Sequence, residues 1–254
     1  MVTAITQILA LAAGTAAGWA WPRTPGLPRL RRDTWINLAH GALLYPVRLA
    51  LGWLGIHALR GAVPLDAVTH PAAQFLLVFV VLDLTRWLVH FADHRVPWLW
   101  SFHRVHHSTE ALDATAGLRM HLVDFLQLSA IPVVLFGVLL DVSSFAGWVV
   151  PAALCVGIMA DAIAHADVPF SPDTPWKRAW FACAMTPLFH AWHHTREGAR
   201  IDGNYASALP LWDRLFGTDV TRPHPPDAYG LDATQALRND VVGLQLLRAR
   251  GETA

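Results

Sequence analysis

The chain has 254 residues, of which 54% are hydrophobic and only 15% charged, with a mean hydropathy of +0.35. An ordinary soluble domain carries about 25% charged residues, so disorder, collagen and a coiled coil are excluded, and the composition argues against a plain cytosolic globule. Nineteen Lys and Arg balance nineteen Asp and Glu, so no net field recruits nucleic acid, and two cysteines (Cys155, Cys183) make neither a disulfide scaffold nor a CxxC metal site.

Five apolar runs follow one another. The first, Val2 to Trp21, is Ala-rich; a cleaved signal peptide is the alternative, but the missing basic n-region favours a retained helix. The stiff linker from Pro22 to Pro28 and the arginines Arg29, Arg31 and Arg32 come next. The second run, Thr34 to Leu59, carries His40, Pro46 and Arg48. The third, Ala72 to Phe91, is interrupted by Asp83 and Arg86, whose i, i+3 spacing predicts a buried ion pair. The fourth, Phe125 to Leu140, reaches about 24 Å, short of the roughly 30 Å hydrocarbon core, which predicts a segment that dips into the bilayer. The fifth runs from Phe145 to Ala164.

These runs predict an all-α integral membrane protein: two transmembrane hairpins, 34–91 and 123–165, an extra N-terminal helix, and a histidine-rich helical cap. The corresponding units are 1–33, a hydrophobic helix with a Pro/Arg-rich linker; 34–247, the membrane domain; and 248–254, a tail. Arginines gather in 22–33, 92–122 and after 170, which places that side in the cytoplasm. Arg-rich, Lys-poor usage (Lys177 is the single lysine) points to a bacterial chain and hence an inner membrane. Trp98, Trp100, Trp176 and Trp180 flank the same side as an interfacial belt.

Ten of the fourteen histidines fall between His90 and His194, and this topology brings all ten to one membrane face. Three clusters share a spacing: His90 and His94 form HxxxH, His103, His106 and His107 form HxxHH, and His190, His193 and His194 form HxxHH again. On a helix these positions share a face, so each cluster aims its imidazoles at one spot. Neutral imidazole is the commonest metal ligand and suits iron, copper and zinc. Eight clustered histidines exceed what one metal takes, so two metals are implied. HExxH, HxxEH and Glu-x-x-His patterns are absent, leaving an all-nitrogen site for two metals and pointing to iron and O2 chemistry on a lipid.

The stretches Val96–Ser108, Thr186–His194 and Asp202–Thr218 resemble the fatty acid hydroxylase superfamily, also called the sterol desaturase family, and the likeness extends over about 72–247. The resemblance implies an integral membrane di-iron oxygenase that hydroxylates, desaturates or demethylates a lipid with O2 and external electrons. Its implied ligands are His90, His94, His103, His106, His107, His190, His193 and His194, with His165 as the additional histidine between motifs. Two iron ions are the implied cofactors, with zinc able to replace them in purified protein. The implied partners are a bilayer lipid and a separate electron donor, a ferredoxin or a cytochrome with its reductase, because the chain has no Gly-rich nucleotide fingerprint or haem module. Oligomeric state is left open. The chain departs from the family at Arg119-Met120-His121-Leu122-Val123-Asp124, which lacks a Pro and shortens an acid, at Asp167 in place of Asn, and at Ala206 in place of Gly.

Four further residues are candidates for an additional ligand or for orienting one. Asp161 lies one turn before His165, His121 precedes the fourth run, and Asp202 and Asn204 follow the last cluster. Against these stand plainer readings: a solvated Asp161, a helix-entry His121, and a turn-forming Asp-Gly-Asn. Two other functions compete with the oxygenase: a membrane di-metal hydrolase of a lipid ester or ether, whose general-base Glu is not evident, and a non-catalytic metal-binding membrane protein.

Overall fold

The computed structural model describes residues 2–23, 25, 30–58, 61–196 and 202–251, without the side chains of 52–58. Part of the linker (Thr24, Gly26, Leu27, Pro28, Arg29), Arg60 and the last three residues of the tail therefore lie outside the described residues, as does the His57 side chain.

The molecule is helical, as its apolar periodicity demands. Helices α1 (Val2–Ala20), α2 (Arg32–Ala58) and α3 (Pro71–Arg95) are followed by the short α4 (Pro97–His103), then α5 (Leu122–Val133), α6 (Val149–His165), α7 (Pro175–Cys183), α8 (Pro187–His193), α9 (Leu211–Phe216) and α10 (Val241–Gln245). A parallel two-residue pairing of β1 (Val63–Pro64) with β2 (Leu140–Asp141) ties the two loops at the end of the bundle opposite the clustered histidines.

Among the described residues, three stretches are long and apolar enough to cross a bilayer: α1, α3, and α5 together with a π-helical continuation over Val134–Leu139. The fourth run is thus longer than its sequence bounds suggested. The helix starts at Leu122, capped by His121, and the Pro132 ring does not end it because the widened turns after Val133 carry the chain on to Leu139. By length and composition it is a candidate span of 18 residues.

Packing crosses the two hairpins. α3 lies chiefly on α6, α2 lies on α5 and on the 3-10 turn over Ala114–Leu118, and α1 runs along α6. Small residues permit the last contact: Gly14 abuts Ala114 and Ala162, Gly18 abuts Asp167, and the Thr6 hydroxyl lies 3.2 Å from the Cys155 sulfur. Val78, Leu82, Ile131, Phe145, Val149 and Ala153 form the apolar heart between α3, α5 and α6. Below it, Arg119 is fully buried and gives its guanidinium to Asp33, Asn37 and Asn239, which pins α2 and the C-terminal segment to the loop before α5.

Candidate metal centre

The histidines sit where helices stop. His90 and His94 occupy the last turns of α3, which ends because Val96 precedes Pro97 and takes an extended conformation. His103 closes α4, and the chain then tightens into a 3-10 turn over His106–Ser108. His165 is the last residue of α6. Thr186 caps α8 by accepting from the Phe189 amide, Pro187 fills its first position, and the helix delivers His190, His193 and, at its end, His194.

All nine expected histidines converge, in two sets. His90, His94, His103, His107 and His193 form one, and His106, His165, His190 and His194 the other; within each set the ligand atoms lie within 4.8 Å of one another. This corrects the expectation that each cluster aims at one spot. Each HxxHH motif is divided: its i, i+4 pair joins one set and its middle histidine joins the other. The sets share a wall, with the rings of His107 and His194 stacked at 4.6 Å.

The outer nitrogens are held from behind. His90 Nδ1 donates to the Tyr205 carbonyl (2.8 Å), His193 Nδ1 to the Gly203 carbonyl (2.8 Å), His165 Nδ1 to the Asp161 carbonyl (2.9 Å) and His106 Nδ1 to the Arg119 carbonyl (3.3 Å). His103 Nδ1 lies 3.1 Å from the buried Asp124 carboxylate. A neutral imidazole that donates from Nδ1 has only a lone pair at Nε2. Yet His90 Nε2 is 3.1 Å from His103 Nε2, and His106 Nε2 is 3.3 Å from His165 Nε2. Lone pairs at that distance repel unless a cation lies between them. The Nε2 atoms of His107 and His193 are likewise buried without a hydrogen-bond partner.

Protons are a poor candidate for that cation. Burial first, and neighbouring imidazoles second, pull His106, His107, His190 and His194 well below the ordinary histidine range; burial takes His193 down to about 3. The donor set, nine neutral nitrogens in two compact groups braced by carbonyls and a carboxylate, fits two first-row transition-metal ions.

The four remaining candidates separate. Asp161 stands behind His165, with its carboxylate 3.4 Å from Nδ1, and belongs to neither set. The Asp202 carboxylate lies 3.6 Å from His94 Nδ1 and 3.8 Å from Arg95. His121 accepts from the Val123 amide, as a helix cap does, and its Nε2 meets the Gln245 carbonyl. Asn204 touches no imidazole. It adopts φ 60°, and its amide spans the Phe189 carbonyl, the Thr221 hydroxyl and the Val220 amide, a bracing of the turn after α8. The residues that sequence reasoning missed as imidazole holders are Asp124 and the carbonyls of Arg119, Gly203 and Tyr205. Only Asp124 carries a side-chain signal, in the Arg-x-His-x-x-Asp stretch.

The predicted Asp83–Arg86 ion pair is not formed. Asp83 instead accepts from the amides of Ala208 and Leu209 (2.9 and 3.1 Å) and from Trp212 Nε1 (2.9 Å). A cavity of about 150 Å³ lies inside the bundle directly against the ligand sets, with His90, His103, His106, His165 and His190 on its wall.

Comparison with known proteins agrees with this arrangement. The family model described as fatty acid hydroxylase matches residues 75–218. An ornithine lipid hydroxylase of Rhizobium tropici is 30% identical over 157 residues, covering 61% of this chain and 44% of the relative. A fatty acid hydroxylase of a Lecanicillium species is 29% identical over 165 residues (59% and 43%), and the cholesterol 25-hydroxylase of Mus musculus 26% identical over 193 residues (73% and 59%). The chain spans less than half the length of the first two of these relatives, and no solved structure matches it. With the matched region covering more than half of its residues and containing every one of the nine clustered histidines, the chain belongs to the fatty acid hydroxylase family.

Proposed function

We propose that this integral membrane protein is a lipid hydroxylase that holds one iron ion in each histidine set and uses O2 with external electrons. The observation that carries the reading is the juxtaposition of two all-histidine sets with a cavity inside an apolar helix bundle. In balance, a C–H bond, O2, two electrons and two protons yield an alcohol and water. When bound, the metal pair supplies the O2 activation that protein side chains lack.

The chain's own residues do the rest. The carbonyls of Arg119, Asp161, Gly203 and Tyr205 fix five-membered rings in the tautomer that leaves Nε2 free to ligate. Leu44, Phe125 and Leu128 wall the cavity and exclude water from the reacting carbon. Asp124 keeps His103 oriented by a charge-assisted hydrogen bond. The arginine distribution supports a cytoplasmic position for the ligand sets, where a separate ferredoxin or cytochrome delivers electrons.

Metal analysis and Mössbauer spectra of iron-57-grown protein, purified gently in detergent, test the reading. Two coupled irons per chain, with a lipid product 16 mass units heavier when reductant and electron carrier are supplied, are expected. Turnover under air with neither reductant nor carrier contradicts it, and two zincs that iron cannot replace favour hydrolysis instead.

A further inference from the structure

α9 lies deeper than a cap helix should. The apolar run of α3 ends at Phe91, and Asp83 precedes that end by eight residues, about 12 Å. There the buried Asp83 carboxylate accepts from the Ala208 and Leu209 amides and from Trp212 Nε1, which fastens the start of α9 alongside the interior of a candidate span. One turn further along α3, Phe216 at the end of α9 stacks on Trp87, with centroids 4.6 Å apart. Leu211, Leu215 and Phe216 are nevertheless 52%, 66% and 51% exposed. Irregular backbone at hydrocarbon depth is tolerated only where the protein satisfies its polar groups, and the segments around α9 do so. Asp83 takes two amides, and the fully buried Asp213 takes those of Tyr205 and Ala206 at 2.9 and 2.7 Å and the Thr218 hydroxyl at 2.6 Å. Arg214 donates to the Phe181 carbonyl at 2.8 Å and to the Ala182 carbonyl, which joins α9 to the last turn of α7. α7 exposes Trp176 and Trp180, one turn apart, and indoles suit the headgroup boundary.

We propose that α9 is a re-entrant element set into the leaflet on the histidine side, with Leu211, Leu215 and Phe216 against acyl chains and α7 at the headgroup level. Length decides between lipid and a water-borne partner as the occupant of this face. Were α9 outside the bilayer, the membrane part of α3 would have to stop before Asp83. Pro71 to Leu82 reaches only about 18 Å, against a hydrocarbon core of roughly 30 Å. The depth also explains Asp83. A carboxylate inside a membrane helix is costly, and here it satisfies amides that lipid could not. The consequence reaches the ligand sets through the chain itself. The carbonyls of Gly203 and Tyr205, which brace His193 and His90, lie immediately before the anchored segment, so contact with the bilayer helps to fix them. The placement of α9 does not depend on which metal binds or which lipid reacts.

The first test needs no substitution. The full chain is placed in phosphatidylcholine nanodiscs with a phospholipid that carries a diazirine in its acyl chain, irradiated, digested and mapped by mass spectrometry. The peptide holding Leu211, Leu215 and Phe216 is expected to take up lipid about tenfold more than the exposed polar loop at 232–234, and within about threefold of the peptide holding the exposed α3 residues Leu76 and Val80. A yield closer to that of the loop than to that of α3 overturns the proposal. A second measurement reads depth. Leu215→Cys in a C155A/C183A background, labelled with bimane, is expected to be quenched by a phospholipid bearing a nitroxide near the headgroup end of its chain and to resist iodide in the water. Quenching by iodide shows a face open to water, and shielding from both quenchers shows a second copy of the chain seated there; either result overturns the assignment.

Discussion

His106 and His107 are adjacent in the chain, yet their imidazoles belong to different ligand sets, with ring planes 88° apart and centroids 5.5 Å apart. The 3-10 turn they occupy turns by a third of a circle per residue, which sends consecutive side chains in divergent directions. Two neighbouring residues thereby form part of the partition between the two histidine sets.

That division makes the two sets unequal in their tolerance of ligand loss. His165→Ala leaves three histidines in the smaller set, whereas His94→Ala leaves four in the larger. Iron per chain, measured by plasma emission on gently purified protein, is expected to fall from two to about one in His165→Ala and to stay closer to two in His94→Ala. Equal losses in the two variants contradict the partition.

Asp124→Asn retains the shape but loses the charge that holds His103 Nδ1. Outer partners of this kind typically change metal affinity by about 10- to 100-fold. Competition with a chelator is expected to show a loss in that range for Asp124→Asn, with helical circular dichroism unchanged.

Asp83 serves two amides from the segment between α8 and α9 and the Trp212 indole of α9, so its removal orphans two amides and an indole. Asp83→Ala is expected to destabilise the protein by about 3 kcal/mol or more, read as a lowered midpoint in thermal unfolding in detergent. Wild-type stability in this variant contradicts the assigned role.

The metal-free protein is expected to lose stability as pH falls below about 6.5. His106, His107, His190, His193 and His194 have lowered pKa values when folded, so in acid the unfolded chain binds more protons than the folded one. Their contribution is fully present above the unfolded value of about 6.5 and drains away toward the folded value, about 3 for His193. Denaturant midpoints measured from pH 8 to pH 4 on chelated protein check the sign; a midpoint that rises in acid contradicts it.

Gly157→Ala puts a methyl group where the Arg86 guanidinium now lies. The obstructed atoms are the end of a flexible side chain, and alanine favours a helix over glycine by about 1 kcal/mol, so the folded state loses little. A thermal unfolding midpoint close to that of the unmodified protein is the expected outcome, and a large drop contradicts the view that the Arg86 side chain can move aside.

All nine converging histidines could be named from the chain alone, because spacing on helices and a shared membrane face are both written in side chains. Their division into five and four could not, since it depends on the path of the turn at 106–108 and the rotation of α8. The braces behind the imidazoles were hidden for a different reason: carbonyls of Arg119, Gly203 and Tyr205 belong to the backbone, which every residue possesses. Asp83 and Arg86 show the limit of local spacing, for a tertiary contact more than 120 residues away claimed the carboxylate. The fourth run looked shorter because its apolar pattern was read from Phe125, whereas the helix already starts at Leu122, after the His121 cap.

The mixing of distant segments in each set also imposes an order on maturation under the two-metal reading. As the polypeptide leaves the ribosome, His90, His94, His103 and His107 emerge together and already offer four ligands for the first ion. The second position has only His106 until α6 is finished, and becomes complete only when α8 has been made. Both positions are complete only when α8 has been made, because His193 belongs to the first set and His190 and His194 to the second, so a product truncated before α8 lacks ligands at both.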